Sequence, residues 1–484
     1  MTGSTPTPPK LSKSRFGSTV PSQADLALLS QPLTLPFSGK VIKNRFCKAA
    51  LSESLAGAEG QFDKDHLDRF VPLYDAWAAG GSGLVLTGNV MVDRTMREME
   101  HNVSVEDSRD LGRLKVWAQT VQKHGAALYA QISHPGRQTH AHLTKNPVAP
   151  SAIPVSNFHP LMSFNTPREL TTEEIQSIIA RFVKTSEVLY EAGFDGIELH
   201  AAHGYLISQF LNPRTNERTH DQYGGSLENR ARFLTEVVEG IKKVTPKEFS
   251  IGVKLNSVDF GRRRQGGAGG EEEVDEHLEE AVQVAVMLEG LGVDFIEISG
   301  GSYESFATGL LDGKGVPDGS PNATNNTAAA GDKKTKKVAA ASSSTQKREA
   351  HFAVFAERIS RALKTTKIIL TGGFVTASAM ADSLKSNHSS GTHIDMVGLG
   401  RTVCQEPDLP NLILSGAVTG GVRLPKTPGG FFDDVFICGG NIRRMANGKH
   451  PVASLGRLAV SCDHYAYSMD YAKVAVHKVK TIFS

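Results

Sequence analysis

Cysteine is scarce in this 484-residue sequence. Cys47, Cys404, Cys438 and Cys462 are scattered, and no C-x-x-C pair occurs. A zinc or iron–sulfur site built from paired cysteines is therefore disfavoured, and no metal site is predicted. So few cysteines in so long a chain are typical of a reducing compartment.

Long apolar runs and a strong net charge are also missing. No stretch of 18 or more apolar residues occurs, so no membrane-spanning helix is predicted. The polar, Pro-, Ser- and Thr-rich N-terminus has no apolar core of the signal-peptide type, which makes a cytoplasmic location the expectation. The formal net charge of +2 is too close to zero to indicate nucleic acid or a membrane surface as a partner.

The sequence does contain a regular alternation of strand-type and helix-type segments. Short runs rich in Val, Ile and Leu, typical of parallel strands buried on both faces, occur at 41–50, 83–91, 126–132, 194–201, 249–256, 294–299, 367–371 and 395–399. A helix-type segment follows each run, at about 64–80, 109–124, 173–191, 228–244, 274–291, 347–364, 376–386 and 407–415. The alternation predicts an α/β fold, a (β/α)8 TIM barrel, although an open doubly wound sheet would show the same pattern.

Three segments fall outside this repeat. Residues 1–30 are predicted to be a disordered or loosely docked N-terminal arm that precedes a barrel domain over 31–415. Residues 307–346 contain few large apolar side chains, so they are predicted to be a low-complexity, disordered insertion after the sixth strand. Residues 416–484 are predicted to be a C-terminal extension packed on the barrel or on a partner subunit, which leaves a homo-oligomer open.

Glycine-rich turns follow the last two predicted strands, at Gly372–Gly373 and at Gly400–Arg401. Glycines let the backbone approach a ligand closely, and exposed backbone N–H groups bind phosphate. An arginine can add a bidentate pair of hydrogen bonds to the phosphate. Many barrels have a phosphate site in these two loops. The turns therefore favour a phosphate-bearing ligand, against the alternative of two tight turns beside a solvated arginine.

Two histidines and a tyrosine follow the fourth predicted strand. His200 and His203 are three positions apart, and Tyr205 comes two residues later. Two imidazoles can donate hydrogen bonds to one carbonyl oxygen, and a phenol can deliver a proton. A zinc site is disfavoured because no carboxylate or cysteine stands at ligand spacing. Taken alone, the segment is equally consistent with two structural histidines.

A long segment around these residues resembles the signature of a known family. It begins at Gly193 with G-F-D-G-I-E-L-H-A-A-H-G-Y and continues to Phe233. The likeness extends over 31–415 outside the insertion, with N-R-F near Asn44, P-V-A-P-S at 147–151, T-G-G-F at 371–374 and G-L-G-R at 398–401. The chain is similar to the old yellow enzyme family, which comprises FMN-containing, NAD(P)H-dependent ene-reductases.

The resemblance implies roles for the matching positions. Four residues would meet the isoalloxazine ring of FMN: Ala50, Ser52, Gly88 and Gln131. Lys254 would lie at the N1–C2=O edge of the ring, where a cation stabilises the reduced anionic flavin. The phosphate would be held by Gly373, Gly400 and Arg401. His200 and His203 would bind the substrate carbonyl, and Tyr205 would protonate the α-carbon.

Three positions depart from the family pattern. Lys254 stands where many members have arginine, so the charge is kept but the planar fork is lost. Ser52 stands where others carry threonine or cysteine, at a position expected to tune the flavin potential. Glu53 follows it where a basic residue is common.

Together these features predict an FMN-dependent oxidoreductase that uses NADH or NADPH to reduce the C=C bond of α,β-unsaturated carbonyl compounds by ping-pong hydride transfer. Its expected partner is a small-molecule activated alkene. One alternative is another flavin-barrel class, an amine dehydrogenase or demethylase, which the missing cysteine cluster and missing G-x-G-x-x-G domain disfavour. The other alternative is a redox-neutral or non-catalytic FMN-binding protein.

Overall fold

Eight parallel strands pair in chain order and close on themselves. The computed structural model describes residues 14–155, 163–256, 271–299, 355–385, 393–423 and 431–451. The strands are β1 (Phe46–Lys48), β2 (Leu84–Met91), β3 (Ala127–Ser133), β4 (Gly196–Ala201), β5 (Ser250–Asn256), β6 (Phe295–Ser299), β7 (Lys367–Thr371) and β8 (Met396–Leu399). Because β8 pairs with β1 through Val397 and Phe46, the sheet is a closed barrel, which confirms the (β/α)8 prediction over the open sheet.

Helices surround the barrel. They are α1 (Gln23–Ser30), α2 (Lys64–Ala79), α3 (Leu111–Gln122), α4 (Thr172–Glu191), α5 (Leu206–Leu211), α6 (Leu227–Val244), α7 (Glu271–Gly290), α8 (355–362), α9 (Ala377–Leu384), α10 (Arg401–Gln405), α11 (Leu409–Leu414) and α12 (Phe431–Ala446). Five of them, α1, α2, α4, α6 and α9, begin with a capping side chain, as α4 shows. The Thr171 hydroxyl accepts the Glu174 N–H, and the Glu174 carboxylate accepts the Thr171 N–H at 3.0 Å, so two otherwise unsatisfied donors are paired.

The strand predicted at 41–50 was wrong as a single element. Val41–Ile42 pairs antiparallel with Leu33–Thr34 outside the barrel sheet, and only Phe46–Lys48 joins the barrel. Asn44 separates the two pieces: its Oδ1 accepts the Phe46 N–H, and its Nδ2 donates to Gly81 O at 2.7 Å. A side chain that bonds its own backbone in this way makes a turn, which an apolar run by itself does not reveal.

The N-terminal segment differs from the predicted loose arm over its described part, residues 14–30. The Arg15 guanidinium donates to the Glu406 carboxylate at 2.9 Å and to Gly420 O at 2.9 Å. Helix α1 begins with a capping box at Ser22, and its Leu29 is fully buried. These contacts fix the segment against the barrel, and residues 1–13 lie outside the described residues.

The lower barrel interior is apolar. Leu33 and Ile42 of the antiparallel pair, with the adjacent Leu35, form one cluster with inward side chains of the strands, including Tyr129 and Phe295. Two strand glycines make room for these rings, because a Cβ on Gly196 would collide with Tyr129 and one on Gly252 would collide with Phe295. Side chains alternate along a strand, so the inward positions two residues further on form the next layer, towards the carboxyl ends. That layer is polar and contains Gln131, Glu198, Lys254, Glu297 and Thr371.

The described part of the C-terminal extension packs on the barrel side that carries α2 and α10. Helix α12 contacts both, with Cys438 and Asn441 buried. The predicted insertion at 307–346 and the last 33 residues, 452–484, lie outside the described residues. Within the described ranges, no helix is long and apolar enough to cross a membrane.

Candidate active site

A β-bulge in β2 shapes one wall of the barrel mouth. The pairing of β2 with β3 shifts between Leu86 and Asn89, which leaves Thr87 and Gly88 outside the regular ladder. The Gly88 N–H instead donates to Glu53 Oε1 at 2.7 Å. A Cβ on Gly88 would collide with the Glu53 carboxylate, so the backbone here requires glycine.

Glu53, one of the departures from the family pattern, is a buried acceptor rather than a surface charge. It is 7% exposed, and its carboxylate also accepts the Tyr74 hydroxyl of α2. Burial, followed by the charge of Glu53, raises the pKa of Tyr74 well above its ordinary range. Glu53 therefore joins the loop after β1 to β2 and α2.

A buried lysine lies behind this wall. The Lys48 ammonium donates to Leu86 O at 2.7 Å and lies 4.0 Å from the Trp77 ring centroid. Burial lowers the pKa of Lys48 to about 8, although the charge of Glu53 opposes this. The cation–π contact and the carbonyl stabilise a charge that is fully removed from solvent.

Ser52 and Ala50 lie in the same loop after β1, both half-buried. The Ser52 hydroxyl donates to Glu98 Oε2 at 3.3 Å, and the amide of Asn89 donates to the same oxygen. The structure thus places the predicted residues Ala50, Ser52 and Gly88 on the same wall of the mouth and adds Glu98 to it. The sequence offered no local signal for Glu98, which comes from the loop after β2.

The three residues predicted after β4 come together. The ring centroids of His200 and His203 are 4.9 Å apart, and those of His200 and Tyr205 are 4.6 Å apart, both edge to face. His200 Nδ1 accepts the Ala202 N–H at 3.3 Å, so the neutral ring carries its hydrogen on Nε2. His203 Nε2 lies 3.2 Å from Ser299 Oγ of β6.

The loop that carries His203 is held in a strained conformation. His203 has φ of 59° and Gly204 has φ of 76°, both in the left-handed region. Two buried amides hold it: Gln138 Nε2 donates to His203 O at 2.8 Å, and Gln209 Nε2 donates to Gly204 O at 2.7 Å. Sequence reasoning missed both glutamines, because each bonds a backbone carbonyl, a group that every residue has.

Both imidazoles are neutral at physiological pH. Burial lowers the pKa of His200 well below its ordinary value, and the positive ring of His203, when protonated, would lower it further. Burial, followed by the charge of Lys254, lowers the pKa of His203 to about 3. Neutral imidazoles can donate one hydrogen bond each, which suits them to bind an oxygen rather than to act as acids.

Lys254 lies in the polar layer directly below. It pairs in register with His200 of β4 and with Glu297 of β6, and its Nζ is 3.2 Å from Glu297 Oε1. Although burial opposes the charge, Glu297 and then Glu198 raise the pKa of Lys254, so it is an ammonium ion. Gln131 of β3 donates its amide to Glu198.

The two glycine turns lie at neighbouring strand ends, because Thr371 of β7 pairs with Gly398 of β8. Gly372 and Gly373 have φ of 143° and 69°, and both are exposed. Gly400 precedes α10, whose first residue is the exposed Arg401. Helix α12 closes the outer side, with Cys438 Sγ 3.9 Å from Arg401 O.

The mouth therefore has two chemically distinct sides. One side presents glycine backbone and Arg401, and the other presents a buried ammonium ion beside neutral imidazoles. This arrangement fits FMN, which has a phosphate at one end and a ring edge that becomes anionic at the other. In the described part of the chain, no group of three His, Cys, Asp or Glu side chains could hold a metal ion.

The barrel fold and the residues at its mouth are typical of a flavin-dependent oxidoreductase. Residues 29–308 match the family model described as the NADH:flavin oxidoreductase / NADH oxidase family. The chain belongs to this family, that of the old yellow enzymes, and is an oxidoreductase that uses FMN and NAD(P)H. The resemblance noted in the sequence is thereby confirmed.

Relatives of known name cover most of the chain. It is 32% identical over 410 residues to the NADH-dependent flavin oxidoreductase nadA of Aspergillus parasiticus, covering 82% of this chain and 81% of the relative. It is 33% identical over 402 residues to the NADH-dependent flavin oxidoreductase iliE of Hypocrea jecorina, which covers 80% of this chain and 88% of the relative. A cinnamate reductase of Clostridium sporogenes is 34% identical over 276 residues, 55% of this chain and 40% of that longer protein.

Solved structures share the fold. Morphinone reductase superimposes with a TM-score of 0.58 at 24% identity, covering 81% of this chain and 90% of that one. A 2-naphthoyl-CoA reductase complex gives a TM-score of 0.63 at 24% identity, and this chain spans 52% of its length. At this identity the likeness shows the (β/α)8 architecture alone.

Proposed function

We propose that this enzyme reduces the C=C bond of α,β-unsaturated carbonyl compounds. The observation that carries the proposal is the group of His200, His203 and Tyr205 at the barrel mouth, with ring centroids 4.6–4.9 Å from that of His200. One relative, the cinnamate reductase, is named for a conjugated carbonyl compound, which supports the same substrate class here.

The histidines bind and polarise the substrate carbonyl oxygen. His200 donates from Nε2, because its Nδ1 is engaged by the Ala202 N–H. Gln138 donates to the His203 carbonyl, and with His203 Nε2 accepting the Ser299 hydroxyl, the ring donates to the same substrate oxygen from Nδ1. Negative charge that develops on that oxygen is stabilised by donors already in place, in a site where burial excludes water.

Tyr205 delivers the proton. Its ring packs against His200, and its side chain is 3% exposed, so the hydroxyl proton is directed to the substrate rather than exchanged freely with bulk water. The net reaction adds one hydride and one proton across the C=C bond, and the phenol recovers its proton from water. Bound FMN supplies the two-electron hydride chemistry, in a ping-pong cycle where the nicotinamide and the alkene react in turn.

The residues that would hold FMN line the mouth from both sides. Ala50, Ser52, Gly88 and Gln131 would meet the ring, and Lys254 would lie at its N1–C2=O edge. Gly372, Gly373, Gly400 and Arg401 would hold the phosphate through backbone N–H groups and the guanidinium. We propose NADH as the reductant, because the two relatives that cover most of the chain are named NADH-dependent.

Replacement of the phenol tests the proposal. In a Tyr205→Phe variant we expect reduction of the flavin by NADH to proceed at the wild-type rate, since Tyr205 takes no part in it. Reoxidation by an enone should slow by about 10²–10⁴-fold, the usual contribution of a positioned acid. The control is Tyr190→Phe, whose ring is 42% exposed on α4. Enone reduction at full rate by Tyr205→Phe would overturn the role of Tyr205.

A further inference from the structure

Two fully buried carboxyl groups face each other in the polar layer beneath the mouth. Glu198 of β4 and Glu297 of β6 are both 0% exposed and flank Lys254 of β5. Glu198 Oε2 accepts the amide of Gln131, and Glu297 Oε1 accepts the Lys254 ammonium at 3.2 Å. The two carboxyls are within hydrogen-bonding contact of each other.

This contact requires a proton. Within the described residues, neither Glu198 Oε1 nor Glu297 Oε2 has an N–H or O–H donor. Two ionised carboxylates in contact repel strongly at a site that is fully buried from solvent, and one lysine cannot neutralise both. A hydrogen on one carboxyl removes the excess charge and supplies the missing bond at once.

The groups around the two carboxyls indicate which of them carries the proton. Lys254 lies against Glu297 and keeps that group ionised: burial opposes this, but the ammonium lowers the pKa of Glu297. Burial, and then the negative charge of Glu297, raises the pKa of Glu198 well above its ordinary range. The amide of Gln131 is a neutral donor, so it balances no charge on Glu198.

We propose that Glu198 is a neutral carboxylic acid that donates a hydrogen bond to the Glu297 carboxylate, and that Glu297 fixes Lys254 and balances its charge. Both glutamates are then positioning residues that act through Lys254. Their effect on the flavin rests on the proposed function, in which Lys254 lies at the N1–C2=O edge of the ring. A lysine whose charge is neutralised by an adjacent carboxylate stabilises the reduced anionic flavin less than a lysine without such a partner would.

The proposal makes the two glutamates unequal, which conservative variants reveal. Glu198→Gln keeps a neutral donor facing Glu297, so the reduction potential of bound FMN should equal that of the wild type. Glu297→Gln removes the only anion bonded to Lys254 in the described structure, so the potential should rise. The ratio of reduced to oxidised flavin at fixed ambient potential should increase about tenfold, the scale of one nearby charge at a buried site. The matched control is Glu239→Gln, exposed on α6.

An infrared difference spectrum of wild type minus Glu198→Gln holoenzyme supplies a second readout that involves no flavin chemistry. We expect it to contain the carbonyl stretch of a protonated carboxylic acid. Absence of that band, or a potential that moves in Glu198→Gln and not in Glu297→Gln, overturns the assignment of the proton. If the band is present and neither variant changes the reduction potential, Glu198 is protonated as proposed, but Lys254 does not lie at the flavin.

Discussion

The carboxylate of Glu53 accepts the backbone N–H of Gly88 at 2.7 Å and occupies the space that a side chain on Gly88 would need. This one contact joins the loop after β1, which carries Ala50 and Ser52, to the bulge of β2. Glu53 therefore holds three of the four residues proposed to meet the flavin ring relative to one another.

Gly88→Ala tests the importance of that contact. The new Cβ must displace the Glu53 carboxylate, so we expect a loss of about 1–3 kcal/mol in the free energy of unfolding and weaker binding of FMN. Denaturant unfolding and titration of the apoprotein with FMN measure the two effects. Gly112→Ala on α3 is the control, since a Cβ there meets nothing within 4 Å. Equal behaviour of the two variants would show that the contact is dispensable.

Gln209 holds the substrate-binding loop from below. Its Nε2 donates to Gly204 O at 2.7 Å and to Pro135 O at 3.0 Å, and its Oε1 accepts the Arg137 N–H. Gln209→Met keeps the volume and removes these bonds, so His203 should lose its fixed position. We expect the KM for an enone to rise while the affinity for FMN stays unchanged. A fall in FMN affinity with an unchanged KM would instead place Gln209 at the cofactor.

Buried neutral histidines make stability depend on pH. Burial lowers the pKa of His203 to about 3 and those of His134 and His140 to about 4, below the ordinary 6.5. Below pH 6.5 these histidines bind protons in the unfolded chain but remain neutral in the folded protein. The free energy of unfolding should therefore be highest above pH 6.5 and should decrease as the pH is lowered towards about 4.

A histidine variant isolates one contribution to that slope. His203→Asn removes one of the histidines whose pKa is lowered, so the stability of the variant should fall less steeply between pH about 6.5 and about 4 than that of the wild type. His220→Asn, at a side chain that is 61% exposed, is the matched control and should leave the slope unchanged. Denaturant unfolding at a series of pH values supplies the measurement. An unchanged slope in His203→Asn would mean that His203 is charged in the folded protein.

Gly373→Ala tests the proposed phosphate turn. Gly373 has φ of 69°, where alanine costs about 1–2 kcal/mol. Gly448→Ala provides a control with the same backbone cost, because Gly448 has φ of 66° at the end of α12, and a Cβ there meets nothing within 4 Å. Both variants should lose stability, but only Gly373→Ala should bind FMN more weakly. Equal FMN affinity in the two variants would remove Gly373 from the site.

Much of the fold could be predicted because parallel strands leave a dense apolar signal. The exception was β1, where the turn made by Asn44 divides a continuous apolar run. The group of His200, His203 and Tyr205 could be predicted because all three lie within six consecutive residues at the carboxyl end of one strand. In the polar layer, β4, β5 and β6 each carry a charged residue inside an apolar run, at Glu198, Lys254 and Glu297, and only Lys254 was predicted to lie at the site.

The supporting residues could not be predicted, for a physical reason. Glu53 bonds Gly88 across 35 positions, and Gln138 bonds His203 across 65. In both cases the partner is a backbone group, which every residue has, so no pairing of side-chain types marks the contact in the sequence. Such contacts become visible only when the fold brings distant loops together.

Anaerobic titration of the purified holoenzyme tests whether this enzyme reduces activated alkenes. NADH should bleach the flavin absorbance, and a stoichiometric amount of an α,β-unsaturated ketone or aldehyde should restore it, with the saturated carbonyl compound as product. Flavin that NADH reduces but that no activated alkene reoxidises in the absence of oxygen would contradict the account.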